Sequence, residues 1–479
     1  MAKKFYLTTA IPYVNAAPHI GHALEFVQAD CVARYHKLLG KEVCLLSGAD
    51  ENSLKNVQAA EKERVTTQEL CDRNSKYFQD LAQVLNVSFD VFQRASEKKH
   101  FEGSQKLWEL CQNSGDIYKK SYTGLYCVGC EAFYTEGELE DGLCREHKTK
   151  PEKISEENYF FKLSKYKTRI EKLIEGDELK IIPETRKNEA LGFIRGGLED
   201  FSVSRSKSRA KGWGVPIPGD LEQIMYVWFD ALNIYQTGVG FGWNEELYKK
   251  WWPADLHIIG KGILRFHAVY WPAILLSAKL PLPKSIFVHG YITVEGQKMS
   301  KTLGNIIDPF SLAEKYDQDA VRYYLLREIP SYSDGDFSER RFKELYNAAL
   351  ANGLGNLIAR VAKLCETSGY KFSDINLSKR ILKKSVVKDL EKFAFSKALE
   401  YIWKDVKWGI RWLDQRINDE RIWSDKKYDA LLLNLYVETI RDIAYNLILF
   451  LPKTAEKIQE QFAGPQIKSA PSLFPRLKP

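Results

Sequence analysis

Two prolines near the start of the chain limit what it can fold into more than any other feature. Pro12 and Pro18 forbid helix between an apolar run that begins at Phe5, read as a buried strand, and a segment at 24–39 with helical periodicity that Gly21 introduces. The order is strand, loop, helix N-terminus. At such a terminus free backbone N–H groups and the helix dipole favour an anion, and the imidazoles of His19 and His22 can donate to the same phosphate. By itself this spacing of two histidines is more often structural or superficial, so a second element has to decide.

That element is Lys298-Met299-Ser300-Lys301-Thr302, in a stretch bounded by Gly296 and Gly304. Two lysines flanking small polar residues in a loop can wrap a mobile cationic clamp round a transferring phosphate. Together the two stretches resemble the signatures of the class I aminoacyl-tRNA synthetases, HIGH at residues 19–22 and KMSKS at residues 298–302 with threonine in the last place. The flanking sequence is similar to the methionyl-tRNA synthetase family over nearly the whole chain. The resemblance implies that His19 and His22 hold the phosphates of ATP and that Lys298 and Lys301 hold the departing pyrophosphate. It also sets Gly21 and Gly260 beside the nucleotide, with Mg²⁺ arriving on the triphosphate.

With 479 residues, 44% hydrophobic and 28% charged, the chain has the length for two to four domains and the composition of a soluble globular protein. Met1-Ala2-Lys3-Lys4 runs straight into the first strand and leaves no room for a signal peptide. No apolar run approaches a membrane span, since 431–451 contains Glu438, Arg441 and Asp442. A cytoplasmic protein with no membrane contact is expected. The net charge of +7 is unevenly placed, with 23 Lys and Arg against 15 Asp and Glu from Tyr346 onward. That excess suits a polyanion partner, although charge alone more often marks a solvated helical face.

Strand and helix patterns alternate through 1–115, with strands at 5–9 and 42–47 and amphipathic helices through 57–63 and 69–85. This order predicts an α/β fold, a Rossmann-like, doubly wound parallel sheet with its ligand crevice at the carboxyl ends of the strands, where Tyr13 and Asp50 fall. A connective insertion is expected over 116–220 and the second half of the catalytic domain over 221–295. The lysine loop and linking helices follow over 296–345, an all-α bundle over 346–465 and a short Pro-rich tail over 466–479. No appended dimerisation domain is expected, and hence a monomer.

Cys127 and Cys130, then after thirteen residues Cys144 and His147, form C-x-x-C and C-x-x-H knuckles. Three thiolates and an imidazole make the closed tetrahedron of one structural zinc, with no position left for chemistry. Two disulfides would leave His147 unexplained and need an oxidising compartment. Cys31, Cys44, Cys71 and Cys365 are scattered and read as small core residues. In the resembling family a zinc knob lies in the insertion that approaches the acceptor end of the tRNA. The basic run at 204–211 could follow that strand or stand as a solvated loop.

Asp50 follows a strand ending in small residues, where its carboxylate could pair with the α-ammonium of an amino acid or cap the next helix. The segment 225–235 reads as a helix with Trp228, Ala231 and Tyr235 on one face, a stripe that is usually core. The segment 256–272 reads as strand, glycine turn and helix with Ile263 and His267 on one face. The resemblance makes these residues, with Ala10, Ile11 and Tyr13, the methionine site: Asp50 for the amine, aromatic rings for the thioether. The chain departs from the family pattern at Asn52, where His is usual, and at Gly262, where Asp is.

In the bundle, Asn356 and Arg360 stand four apart, and Trp423 follows a loop-like stretch. An amide and a guanidinium can read base edges and an indole can stack an unpaired base. The resemblance makes these three the anticodon-binding residues. What it implies for the whole chain is a methionine–tRNA ligase that activates methionine with ATP and transfers it to the 3′ end of tRNA(Met). The alternatives are a class I synthetase for cysteine or a branched aliphatic amino acid, and a catalytically weakened paralogue that only binds RNA.

Overall fold

The computed structural model describes residues 3–129, 132–146, 148–299, 303–377, 380–416 and 426–478. They fall into two compact units, one of Met1–Pro18, His36–Asp80 and Ser88–His289, the other of His19–Tyr35, Leu81–Val87 and Gly290–Pro479.

The first unit is built on six parallel strands, β1 (Lys4–Thr9), β2 (Glu42–Ala49), β3 (Val91–Arg94), β4 (Lys180–Ile182), β5 (Leu256–Gly260) and β6 (Ser285–His289). Their spatial order is β3-β2-β1-β5-β6-β4. The order turns back at β1, where Leu7 lies opposite Leu45 of β2 and Leu256 of β5, and a reversal of this kind opens a ligand crevice beyond the carboxyl ends. A parallel sheet covered on both faces needs near-continuous apolar strands, and β2 is buried from Val43 to Ala49. Past the ends of β1 and β2, Tyr13 and Asp50 pair in an isolated bridge, with Asp50 N–H donating to Pro12 O at 2.9 Å.

The stretch expected as a separate insertion contributes to this sheet. β4 comes from within it and pairs with β6, Ile181 opposite Ile286. The remainder forms a four-stranded antiparallel sheet around Ile117–Cys127 and Glu152–Phe161 and a three-stranded one around Asp220–Met225. The helix expected over 225–235 is two short helices, Val227–Ala231 and Ile234–Thr237. Buried Asn233 stands at the break, its Oδ1 accepting from Gln236 Nε2 at 3.1 Å, the local side-chain bonding by which asparagine competes with helix. Cys111, which the sequence reading passes over, is a buried core thiol like Cys31, Cys44, Cys71 and Cys365.

In the second unit most of the helix Ile20–Leu38 accompanies a small sheet of Ile292–Val294, Gln297–Lys298 and Gly335–Phe337, and the C-terminal helices. Two of the linking helices, Pro309–Tyr316 and Gln318–Arg327, are divided at Asp317 (φ +78°), whose carboxylate accepts from Asp319 N–H at 2.8 Å and so caps the second. Fully buried Arg322 donates to Asp30 Oδ2 at 2.7 Å, Phe450 O at 2.7 Å and Leu85 O at 3.0 Å, tying three segments of the unit together. A π-helical stretch, Tyr346–Gly355, leads into Asn356–Ser368, and Lys384–Leu390, Phe395–Arg416, Lys426–Leu447 and Pro452–Gln461 complete the helical part. Among the described residues no helix is long and apolar enough to cross a membrane.

Candidate active site

After β1 the chain passes through Ala10, Ile11 and Tyr13, each half-buried. Lys55 Nζ lies over the Tyr13 ring at 4.3 Å, and Trp228 stands edge-on to it at 6.3 Å. Trp228 in turn lies flat on Phe266, 3.8 Å between centroids and 4° between planes, and T-shaped to His267 at 6.5 Å. Its indole Nε1 is buried with no hydrogen-bond partner among the described residues. Asp50 is 2% exposed, one residue beyond β2, and its carbonyl accepts from Asn56 Nδ2 at 3.0 Å. Ala231 is buried in the same short helix as Trp228.

Tyr235, His267 and Ile263 form a chain of hydrogen bonds that settles a tautomer. His267 Nδ1 lies 3.0 Å from Ile263 O, and a carbonyl can only accept, so Nδ1 carries the hydrogen. Nε2 of the neutral ring therefore accepts from the Tyr235 hydroxyl at 2.8 Å. Burial holds the imidazole down to about 4, which keeps it neutral at neutral pH. Beneath it, the Tyr6 hydroxyl donates to Tyr235 O at 2.6 Å. His267 belongs to a π-helical turn, Phe266–Tyr270, a local widening found mostly at functional sites. Gly260 ends β5 opposite His289 of β6.

In the second unit the helix N-terminus differs from expectation. Its first amides are already taken: Ile20 N–H by Ile307 O at 3.1 Å, Gly21 N–H by His19 Nδ1 at 3.0 Å, and His22 N–H by His19 O at 2.9 Å. His19 N–H donates to His22 Nδ1 at 3.1 Å. Because both Nδ1 atoms accept, both neutral rings carry their hydrogen on Nε2, and the donors that this terminus offers an anion are imidazole N–H groups instead of backbone ones. Desolvation lowers His19 to about 4, so its ring is neutral at neutral pH. The two rings stack with centroids 4.0 Å apart. Gly21 leaves room for that stack: a Cβ there would meet His19 Cε1 at 2.9 Å, with Met299 Cε at 3.9 Å.

Met299 follows Lys298, which closes the short strand Gln297–Lys298 and is exposed. The Lys298 carbonyl accepts from Asn305 Nδ2 at 3.2 Å, and Gly296 makes the preceding turn at φ +75° with its N–H on Asp336 Oδ1 at 2.8 Å. Lys301 lies outside the described residues.

A family model described as "tRNA synthetases class I (M)" matches residues 5–144 and 135–362. The methionine–tRNA ligase of Brucella melitensis is 40% identical over 97% of this chain and 93% of its own. The chain belongs to the methionyl-tRNA synthetases. The Clostridium acetobutylicum methionine–tRNA ligase is 39% identical to the synthetase over 99% of this chain and 78% of its own. Among solved structures, Mycobacterium tuberculosis methionyl-tRNA synthetase bound by methionyl-adenylate is 37% identical, with TM-score 0.89 over 99% of this chain and all of that one. The activity is accordingly that of a methionine–tRNA ligase.

The synthetase's Asn52, one of its departures from the family pattern, is integrated into the fold. Its Nδ2 donates to Asp230 Oδ2 at 2.7 Å and to Ala95 O at 3.0 Å. The other Asp230 oxygen takes His100 Nε2 and, at 3.2 Å, the Ser104 hydroxyl. This buried network backs the helix that carries Trp228 and Ala231. Gly262 is exposed in the turn Lys261–Ile263 and shares no hydrogen bond with Asn52 among the described residues. His100, Asp230, Phe266 and Lys55 are absent from the sequence-based site, and no motif marks them.

Of the four expected zinc ligands, Cys127 ends the strand Ile117–Cys127 and Cys144 lies in a turn, both buried and neither in a disulfide. Cys130 and His147 lie outside the described residues, and among those described no three candidate ligands converge. Asn356 opens its helix, half-buried, and Arg360 one turn on donates to Asp414 Oδ1 at 2.7 Å. Trp423 lies outside the described residues.

Proposed function

We propose that this ligase makes methionyl-adenylate by positioning and charge stabilisation, without a covalent enzyme intermediate. A methionine carboxylate oxygen forms a bond to the α-phosphorus of ATP, the bond from that phosphorus to the bridging oxygen breaks, and pyrophosphate leaves. In the second step a ribose hydroxyl at the tRNA 3′ end attacks the methionyl carbonyl and AMP departs. The Nε2–H groups of His19 and His22 donate to phosphate oxygens, Lys298 and Lys301 stabilise charge on the departing pyrophosphate, and Mg²⁺ accompanies the triphosphate. Asp50 pairs with the substrate ammonium. Ala10, Ile11, Tyr13, Trp228, Ala231, Tyr235, Ile263 and His267 surround the thioether side chain, and Gly260 admits the nucleotide. The observation that carries this reading is the fixed tautomer of His19 and His22, which sets the hydrogen of each ring on Nε2 at a helix N-terminus.

Cys127, Cys130, Cys144 and His147 hold one structural zinc in this reading. The two described thiols are buried side chains outside any disulfide, and a donor set of three sulfurs and one imidazole suits that ion. Bound zinc would brace the small antiparallel sheet, and neither chemical step uses it. Asn356, Arg360 and Trp423 read the anticodon of tRNA(Met), and the reaction takes place in the cytoplasm.

Amino-acid-dependent ATP–pyrophosphate exchange, run with each of the twenty amino acids, tests the substrate assignment. Methionine alone should support rapid exchange, and preference for cysteine or a branched aliphatic amino acid would overturn it. Elemental analysis should find one zinc per chain, lost in Cys130→Ser; unchanged zinc in that variant would remove the site.

A further inference from the structure

The basic run at 204–211 is folded down on the protein, not splayed into solvent. Arg205 is buried with its guanidinium over the rings of Tyr126 and Tyr226, at 4.8 and 5.1 Å, and Arg209 lies over Tyr126 at 4.5 Å. Between the strands Ser204–Ser206 and Pro216–Ile217 the chain closes on itself, Gly212 N–H donating to Lys207 O at 2.9 Å and Trp213 N–H to Ala210 O at 3.0 Å. From this closed loop half-buried Trp213 reaches out of the insertion, its Nε1 donating to the backbone carbonyl of Glu51 at 2.7 Å. Lys211 adds an ion pair at 2.5 Å with Glu61 of the helix Leu54–Glu63, but both groups are exposed and such a pair contributes little.

Glu51 follows Asp50 directly, and the turn that holds both is restrained from several sides. The fully buried Glu51 carboxylate accepts at Oε1 from Ser75 Oγ at 2.6 Å and Arg94 Nε at 2.7 Å, and at Oε2 from Ser96 N–H at 3.0 Å. Asp50 is held at its N–H by Pro12 O and at its carbonyl by Asn56, and Asn52 is held by Asp230 and Ala95. These bonds leave the Glu51 carbonyl, whose other donor among the described residues is the Cys71 thiol, weak and 3.9 Å away. The indole therefore fixes the rotation of this peptide unit, and of the restraints on the turn it is the one supplied by the insertion.

We propose that Trp213 is a positioning residue for the amino-acid step: by holding the Glu51 carbonyl it keeps the Asp50 carboxylate directed at the ammonium group of the incoming amino acid. The inference rests on the assignment of Asp50 to that ammonium made above. A buried carbonyl stripped of its donor bears the full cost of leaving water, and the turn relieves that cost by rotating the peptide toward another donor. Asp50 is the neighbouring residue, so the rotation carries its carboxylate off line, and a charge-assisted hydrogen bond depends on both distance and angle. In the same reading the thioether is surrounded by Trp228, Tyr235 and His267, with which Trp213 shares no hydrogen bond or ring contact among the described residues. The effect is accordingly one on amino-acid affinity.

The test uses the full-length protein and pyrophosphate exchange with methionine and ATP titrated separately, alongside melting temperature. Trp213→Phe keeps an aromatic ring and removes the donor, so KM for methionine should rise about three- to tenfold while kcat and KM for ATP stay near the parent values. Trp213→His should recover most of the loss, because imidazole Nε2 occupies the ring position of indole Nε1 and can carry a hydrogen to the same carbonyl. Should Trp213→Phe fold poorly, benzothienylalanine at position 213, with the indole shape and sulfur in place of N–H, gives the same comparison. Asp50→Asn serves as reference. If it raises KM for methionine while Trp213→Phe stays within about 1.5-fold of the parent, Trp213 does not position the turn although the ammonium assignment stands. If Asp50→Asn is equally without effect, that assignment fails too. A fall in kcat with both KM values rising in step, in Trp213→Phe and Trp213→His alike, would make the indole a packing residue only.

Discussion

His267, in the unit of the large sheet, and the pair of His19 and His22 in the other put the same side chain to opposite uses. His267 meets a carbonyl through Nδ1, so its hydrogen sits there and Nε2 becomes an acceptor for Tyr235. His19 and His22 meet backbone amides through Nδ1, so their hydrogens sit on Nε2. Burial keeps His19 and His267 neutral at neutral pH, each at about 4, and pushes His257 well below its ordinary value. What separates the roles is the backbone group behind each ring, since an N–H makes the far nitrogen a donor and a C=O makes it an acceptor. The donating pair suits phosphate oxygens, and the accepting ring fixes the Tyr235 hydroxyl within an aromatic cluster.

Removing one donor gives the largest expected effect. In the proposed mechanism His19→Ala takes away an Nε2–H that donates to charge developing on phosphate in the transition state, so adenylate formation should slow by about 10²–10³-fold. The methionine dissociation constant should move far less, because the ring cluster proposed to surround methionine is untouched. Single-turnover rates with methionine titrated separately measure both. Equal losses in rate and in methionine affinity would show that His267 and the His19–His22 pair are not specialised as described.

Acid should test the accepting ring through stability. His267 titrates near 4 in the folded chain and near 6.5 unfolded, so between those values the unfolded state binds more protons and stability falls as pH falls. Full protonation of this one group in the unfolded chain corresponds to about 3 kcal/mol, at roughly 1.4 kcal/mol per unit. Denaturant midpoints between pH 7 and 4 should therefore drop less steeply in His267→Gln than in the parent. Parallel slopes would mean that the imidazole is not held neutral by burial.

How much of this was legible in the chain depended on how locally it was encoded. Pro12, Pro18 and Gly21 act on their own backbone, and the strand, loop and helix N-terminus they forecast are present as β1 and Ile20–Leu38. Tyr13 and Asp50 were placed correctly at strand ends because the alternation of strands and helices already implied a parallel sheet. The state of the terminal amides was not legible, because Ile307, which takes the first of them, lies far along the chain. Asn52 could not be interpreted for the same reason: its partners Ala95 and Asp230 are remote in sequence, and no periodicity records them. The break at Asn233 was missed because an aromatic stripe at helical spacing looks the same in one helix as in two short ones.

The smallest effect is expected where the donating pair is set in place. Gly21→Ala adds a Cβ whose ideal position is 2.9 Å from His19 Cε1 and 3.0 Å from Nδ1, so the imidazole must shift by a few tenths of an ångström. The ring is only half-buried and can give, but the shift lengthens the bond from Gly21 N–H that fixes its tautomer. Losing part of a bond worth about 0.5–1.5 kcal/mol should reduce pyrophosphate exchange by roughly two- to fivefold. Stability should move the other way or stay level, since alanine is favoured over glycine by about 1 kcal/mol within a helix. A slower enzyme with an unchanged or higher melting temperature would tie the donor geometry to this amide. Exchange at the parental rate would instead mean that the His19 ring keeps its place without it.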